Sequence, residues 1–152
     1  MDWLMKILHV LAVVVLLGNL LMAPFWRKRL VALGGVQARA AANRSIRVAD
    51  LMFTLPGWVV VLVTGIVLSI NRGWKLPISL NISMLLFLGW LVLWHVLVLR
   101  ARKAMIAQAE EAASGGQAPA ELVQHEHQWQ QWSYVSAGLV VLILILMVAQ
   151  PF

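Results

Sequence analysis

Four long stretches, residues 7–26, 51–71, 76–99 and 127–152, contain no Asp, Glu, Lys or Arg. Each runs for at least about twenty residues, long enough to cross a roughly 30 Å hydrocarbon core as a helix rising about 1.5 Å per residue. A barrel strand crosses in only about 9–11 residues, and backbone amides in lipid must be satisfied within their own segment, so these runs predict helices. The expected fold is all-α: a polytopic membrane protein with a four-helix transmembrane bundle. It forms one domain over residues 1–152, with spans near 4–26, 51–70, 78–99 and 132–151.

The connections differ in length and chemistry. RGWKLP, residues 72–77, is short and predicts that spans two and three are antiparallel neighbours. The other two connections are broken by Gly34-Gly35 and Gly115-Gly116 and flanked by Ala-, Arg-, Lys- and Glu-rich runs of good helix propensity. ARKAMIAQAEEAAS extends span three beyond the membrane, and Pro119 suits the first turn of the returning helix. Two helical hairpins are therefore expected to project on one side. Pro24, Pro56 and Gly57 are expected to bend or loosen the neighbouring ends of spans one and two.

Composition supports the bilayer as solvent. The chain is 62% hydrophobic and 12% charged, against roughly 45–50% and about 25% in soluble domains. Its net charge of +6 sits beside apolar spans, which points to head-group contact rather than nucleic acid. Arg27, Lys28, Arg29, Arg39, Arg44, Arg47, Arg100, Arg102 and Lys103 lie on the hairpin side, against Lys6, Arg72 and Lys75 opposite. The positive-inside rule then makes the hairpins cytoplasmic and both termini periplasmic, as expected of a bacterial inner-membrane protein. Trp3 and Trp74 would anchor one interface, and Trp26, Trp129, Trp132 and Tyr134 the other. The first apolar run lacks a basic n-region beyond Lys6 and a small-residue cleavage site, so it reads as a retained span rather than a signal peptide.

Absence of cysteine removes disulfides and thiolate chemistry. There is no GxSxG, phosphate loop or HExxH, and no pair of carboxylates within the spans. Attention falls on the intramembrane polar residues, which are functional candidates by default. His9, early in span one, is a candidate axial ligand to haem iron or a ligand for copper, with a packed or interfacial histidine as the structural alternative. Met84 or Met147 would complete a His/Met haem pair, with Ser69, Asn81, Ser83 and Gln150 at the same depth. His95 lies near the opposite surface, roughly 15 Å deeper than His9, and would need a separate site. His125 and His127 stand roughly 15–18 Å beyond His95 and point to different faces, as a solvated amphipathic surface would have them, with a cytoplasmic metal site as the alternative. Asn19 and Thr64, each beside a glycine, are candidates for interhelical hydrogen bonds. Asp50 is expected at a helix N-terminus, paired with Arg47 or the RKR cluster.

The segments LHVLAVVVLLGNLLMAPFWR, ADLMFTLPGWVVVLVTGIVLS and QWQQWSYVSAGLVVLILILMVAQP resemble a family of small four-helix integral membrane proteins of unknown function, over essentially the whole chain. More distantly, the early LH and the PG…TG arrangement of span two resemble the HemJ-type protoporphyrinogen oxidases and the CopD-type copper-resistance membrane proteins. That distant resemblance implies a haem ligand at His9 and a basic residue in a later span; the first basic residue of span three here is Arg100.

Two functions follow as expectations. One is a haem b protein for electron transfer or porphyrinogen oxidation, working with a membrane redox partner or as a homo-oligomer. The other is a non-enzymatic accessory or scaffold protein in the lipid bilayer, docking a partner or anionic lipid through its basic hairpins. Copper handling ranks third, because the seven methionines do not cluster.

Overall fold

The computed structural model describes residues 2–115 and 120–149. Gly116, Pro119 and Gln150 lie outside them. The described chain forms four long helical rods. The first is α1, Asp2–Ala32; the second joins α2, Gly35–Ala49, to α3, Leu55–Asn71, through a π-helical turn, π1, Asp50–Thr54. The third joins α4, Ile78–Leu93, to α5, Leu99–Ala113, through π2, Trp94–Val98, and the fourth is α6, Ala120–Val148. All four are long and apolar enough to cross a membrane. Rods of 37 and 36 residues reach about 54–56 Å at about 1.5 Å per residue. That is well beyond a hydrocarbon core of roughly 30 Å, so both hairpins continue past it.

Within lipid there is no hydrophobic force between helices, and close packing and polar contacts must hold them. Gly57 provides one such contact: a side chain there would bring its Cβ within 3.3 Å of Leu16 Cβ, so α1 and α3 are held closely together. Leu16, Trp90, Ala137, Val140 and Ile143 fill the seam. The opposite helix faces carry Val14, Leu85 and Val92, which are exposed as lipid-facing residues should be. Pro24 sits inside α1 without ending it.

The order of the rods departs from expectation in one respect. α1 packs on α3 and α6, and α6 packs on α4, but among the described residues α3 and α4 make no close backbone approach. The short 72–77 turn joins them without packing them. Asn71, Arg72 and the glycine form a Schellman cap, with Gly73 N–H donating to Ile70 O at 2.8 Å and Trp74 N–H to Ser69 O at 3.0 Å. The chain then passes through Trp74 at φ 59° to an extended Pro77, enough length to set the helices apart. At the hairpin end the square closes, because α2 packs on α5.

The hairpin end is held by charge as well as apolar contact. Glu126 lies between Arg27, at 2.5 Å, and Arg39, at 2.6 Å. Arg27 Nε donates to Asn43 Oδ1 at 2.9 Å, and Arg44 pairs with Glu110 at 3.2 Å. Met105, Ala109 and Leu122 are fully buried among these groups. Trp26 is exposed as an interfacial anchor would be, as are Trp3, Trp74 and Tyr134. Trp129 corrects the expectation: it is buried, with the Arg27 guanidinium 5.7 Å from its ring centre.

Candidate functional site

The divergence of α3 from α4 leaves a cavity of about 360 Å³ at the end of the bundle where α1 begins and α6 finishes. Its walls are apolar, built from α1, α3, α4 and α6; Val13, Leu62, Phe87, Val140 and Ile143 are among them. Ligand pockets run from roughly 300 to 1,000 Å³, so the space is of functional size. Its polar lining is sparse: His9, Ser69 and Ser83, with Lys6 and Arg72.

His9 is half-buried on the α1 wall. Its Nδ1 lies 2.8 Å from Thr64 Oγ1, and Thr64 in turn donates its hydroxyl proton to Val60 O at 2.5 Å. A hydroxyl has one proton to give. Assigning that proton to the helix backbone makes Nδ1–H the donor and leaves Nε2 its lone pair. Gly65 stands next to this pair, and a Cβ added there would sit 3.5 Å from His9 Cε1. The Thr64-Gly65 dipeptide therefore fixes the ring on one side and leaves room beside it. Thr64 engages His9 on a facing helix, 55 positions away in sequence.

Met84 and Met147 line the same cavity as His9, as do Ser69 and Ser83. Both serine hydroxyls are directed to their own helices, Ser69 to Gly65 O and Ser83 to Ser79 O, each at 2.8 Å. Asn81 is exposed and points toward the preceding turn, with Nδ2 3.4 Å from Leu76 O. His95 is not brought to the cavity. It lies in π2, exposed, with Nδ1–H donating to Leu91 O at 3.1 Å and its ring edge-on to Trp58 and Trp94. His125 Nδ1 meets Gln108 Oε1 at 3.0 Å, and His127 is exposed. Among the described residues no three His, Asp or Glu side chains gather as a metal cluster.

A second polar centre lies near the middle of the rods, where a sequence reading did not place one. Asp50, the first residue of π1, is buried and ion-paired with Arg102 of α5. Its Oδ1 accepts from Thr54 Oγ1 at 2.8 Å and from Asn19 Nδ2 at 3.2 Å, and Asn19 also donates to Thr54 Oγ1 at 2.7 Å. One carboxylate thus ties α1, π1 and α5 together. Asp50 therefore lies inside a continuous rod rather than at its N-terminus, and its ion pair is with Arg102 rather than with Arg47, which is exposed. The wider turn of a π segment interrupts the regular ladder, a feature frequent at functional sites, and here it carries the buried acid. The signal available in the sequence was the helical period: Arg100 and Arg102, two apart, must face opposite ways.

The model of a family described as "Predicted integral membrane protein (DUF2269)" matches residues 3–151. No curated protein and no solved structure matches the chain.

Proposed function

The chain belongs to that family of integral membrane proteins, and from this premise we propose that it is a b-type haem protein of the bacterial inner membrane, with His9 as the iron ligand in the α3/α4 cavity. The observation that carries the reading is the 2.8 Å approach of His9 Nδ1 to Thr64 Oγ1: with Nδ1–H donating there, the Nε2 lone pair would face the iron. Metal-ligating histidines are held in this way by a partner on the other ring nitrogen. The remaining lining suits the group: a mostly apolar wall would face the macrocycle, and Met84 or Met147 would join His9 in holding the iron through a thioether sulfur.

Bound haem would supply one-electron redox chemistry. The chain's own part is to orient the His9 ring through Thr64, to exclude water with Val13, Phe87, Val140 and Ile143, and to set the environment that tunes the potential. Electron transfer with a membrane partner is the role this supports best, and both termini are assigned to the periplasmic side by the charge asymmetry.

A reduced-minus-oxidised visible spectrum of the purified protein tests the reading. A b-type spectrum is expected, lost in His9→Ala and kept in His95→Ala. A colourless wild-type protein from cells with ample haem would overturn it. The second reading, a scaffold that docks a partner or anionic lipid, draws on Lys28, Arg29, Arg47, Arg100 and Lys103, which have no ion pair among the described residues.

A further inference from the structure

We propose that the α3/α4 cavity is a binding site for an amphiphile with an anionic head, a carboxylate or phosphate held by Lys6 and Arg72, and that this ligand enters sideways from the bilayer between the two diverging helices. The proposal goes beyond the haem reading, since haem propionates are only one source of such a head; the other is a lipid.

Three observations converge on it. The first is shape. A dry apolar cavity of roughly 150 Å³ already takes up benzene, and this one, at about 360 Å³, has more than twice that space for an apolar body. Its walls are too poor in polar groups to hold the many waters that would otherwise fill it, because a buried water needs about two to four polar partners.

The second is the route. Among the described residues α3 and α4 are neighbours in the square that make no close backbone approach, and the cavity lies between them, lined by Leu62, Gly65 and Ile66 on one side and Leu80, Ser83 and Phe87 on the other. Outward-facing neighbours of that seam, Val63 and Leu85, are exposed apolar residues. A ligand crossing there leaves the acyl region of the membrane without passing through water.

The third is charge. Lys6 of α1 and Arg72 at the end of α3 are separate in sequence, yet both line this cavity. Neither has an ion pair among the described residues, whereas Arg27, Arg39, Arg44 and Arg102 at the other half of the molecule are all paired with carboxylates. Among the described side chains the acids are Asp50, Glu110, Glu111 and Glu126, all on the elements of that other half. Two cations without an ion pair among the described residues, beside low-dielectric walls, make a focused positive field, and charge-assisted hydrogen bonds to an oxyanion are the strong kind. An apolar body with an anionic head satisfies both ends of the cavity at once.

The test uses the full-length protein purified in detergent, the double variant Lys6→Gln/Arg72→Gln, and Lys75→Gln as a control in the same turn that does not line the cavity. Each is titrated with haem b and its dimethyl ester, and with oleate and methyl oleate. For at least one pair, wild type and Lys75→Gln should bind the acid about tenfold or more tighter than the ester, and the double variant should bind both alike. Discrimination with the haem pair assigns the head to the propionates. Discrimination with oleate alone, and no haem bound, supports the lipid source and leaves this proposal standing while the haem reading falls. Haem bound equally as acid and ester by wild type, with no preference for oleate, overturns the proposal and leaves the haem reading intact. No binding of any of the four overturns both.

Discussion

Replacing Arg102 with Met should destabilise the bundle strongly by breaking the buried Asp50 polar centre. The side chains of Arg102 and Asp50 are 10% and 9% exposed, so removal of the guanidinium leaves the carboxylate buried without its counter-charge. Breaking a buried pair in this way typically costs about 3–5 kcal/mol. Asp50 would keep its bonds from Thr54 and Asn19, which places the expected loss near the lower figure, about 3 kcal/mol. The same argument makes a sharper claim about a second variant. Asp50→Asn/Arg102→Met removes both charges while the Asn Oδ1 still accepts from Thr54 and Asn19, so it should recover a large part of that loss. The assay is reversible unfolding in mixed micelles, following helicity and tertiary packing for wild type, both single variants and the double. A coupling of at least about 1.5 kcal/mol is expected, within the range for residues sharing one network. If Arg102→Met fell within about 1 kcal/mol of wild type, or the double variant lost the sum of the singles, the buried pair would not be what joins π1 to α5.

Three further outcomes are expected. Thr64→Val removes the acceptor for His9 Nδ1–H with little change of shape, and should weaken haem binding about 10–100-fold while helicity is kept; Thr64→Ser should restore it, and equal binding by all three would reject Thr64 as the positioning residue. Gly57→Val, with a Cβ that would already sit 3.3 Å from Leu16 Cβ, should force α1 from α3 and lower stability by about 1–3 kcal/mol, measured by the same unfolding assay; an unchanged midpoint would deny the close approach. A reporter fused after Gly115 should be active only in its cytoplasmic form, and activity in a periplasmic form would reverse the assigned orientation.

The sequence made the spans legible because charge-free runs of this length have only one stable arrangement in lipid. His9 stood out for the same reason, as an imidazole in an apolar run. Its partner Thr64 was visible only as a polar residue beside a glycine, because nothing local states which helix it will face. The fate of Trp129 was more accessible. Leu122, Glu126, Trp129, Ser133, Ser136, Val140 and Ile143 are all buried, and their alternating spacing of four and three is the repeat of a helix seam. The polar neighbours in HEHQWQQW disguised that repeat as an interface.

The two polar centres were hidden for different physical reasons, and the difference bears on what each does. The Asp50–Arg102 link needed a fold to bring α5 against π1, but once buried its groups satisfy one another: the carboxylate accepts from three side chains, and the space that Asp50 borders with Leu20, Trp94 and Ser136 is only about 10 Å³. Such a centre leaves no room for a ligand, since the space Asp50 borders is on the scale of a single water, and its work is to hold helices. The cavity is the reverse. It exists because a turn that looked short enough to pack α3 on α4 instead holds them apart, and its polar groups remain open on the cavity side: an imidazole with one nitrogen engaged and two cations without ion pairs among the described residues. In a bundle that otherwise pairs its buried charges, open groups around an apolar space are where a ligand gains most from binding. A locked hairpin half beneath a parted half gives that ligand a fixed floor and a side opening, so recognition can take place at α3 and α4 without unpacking the rest of the molecule.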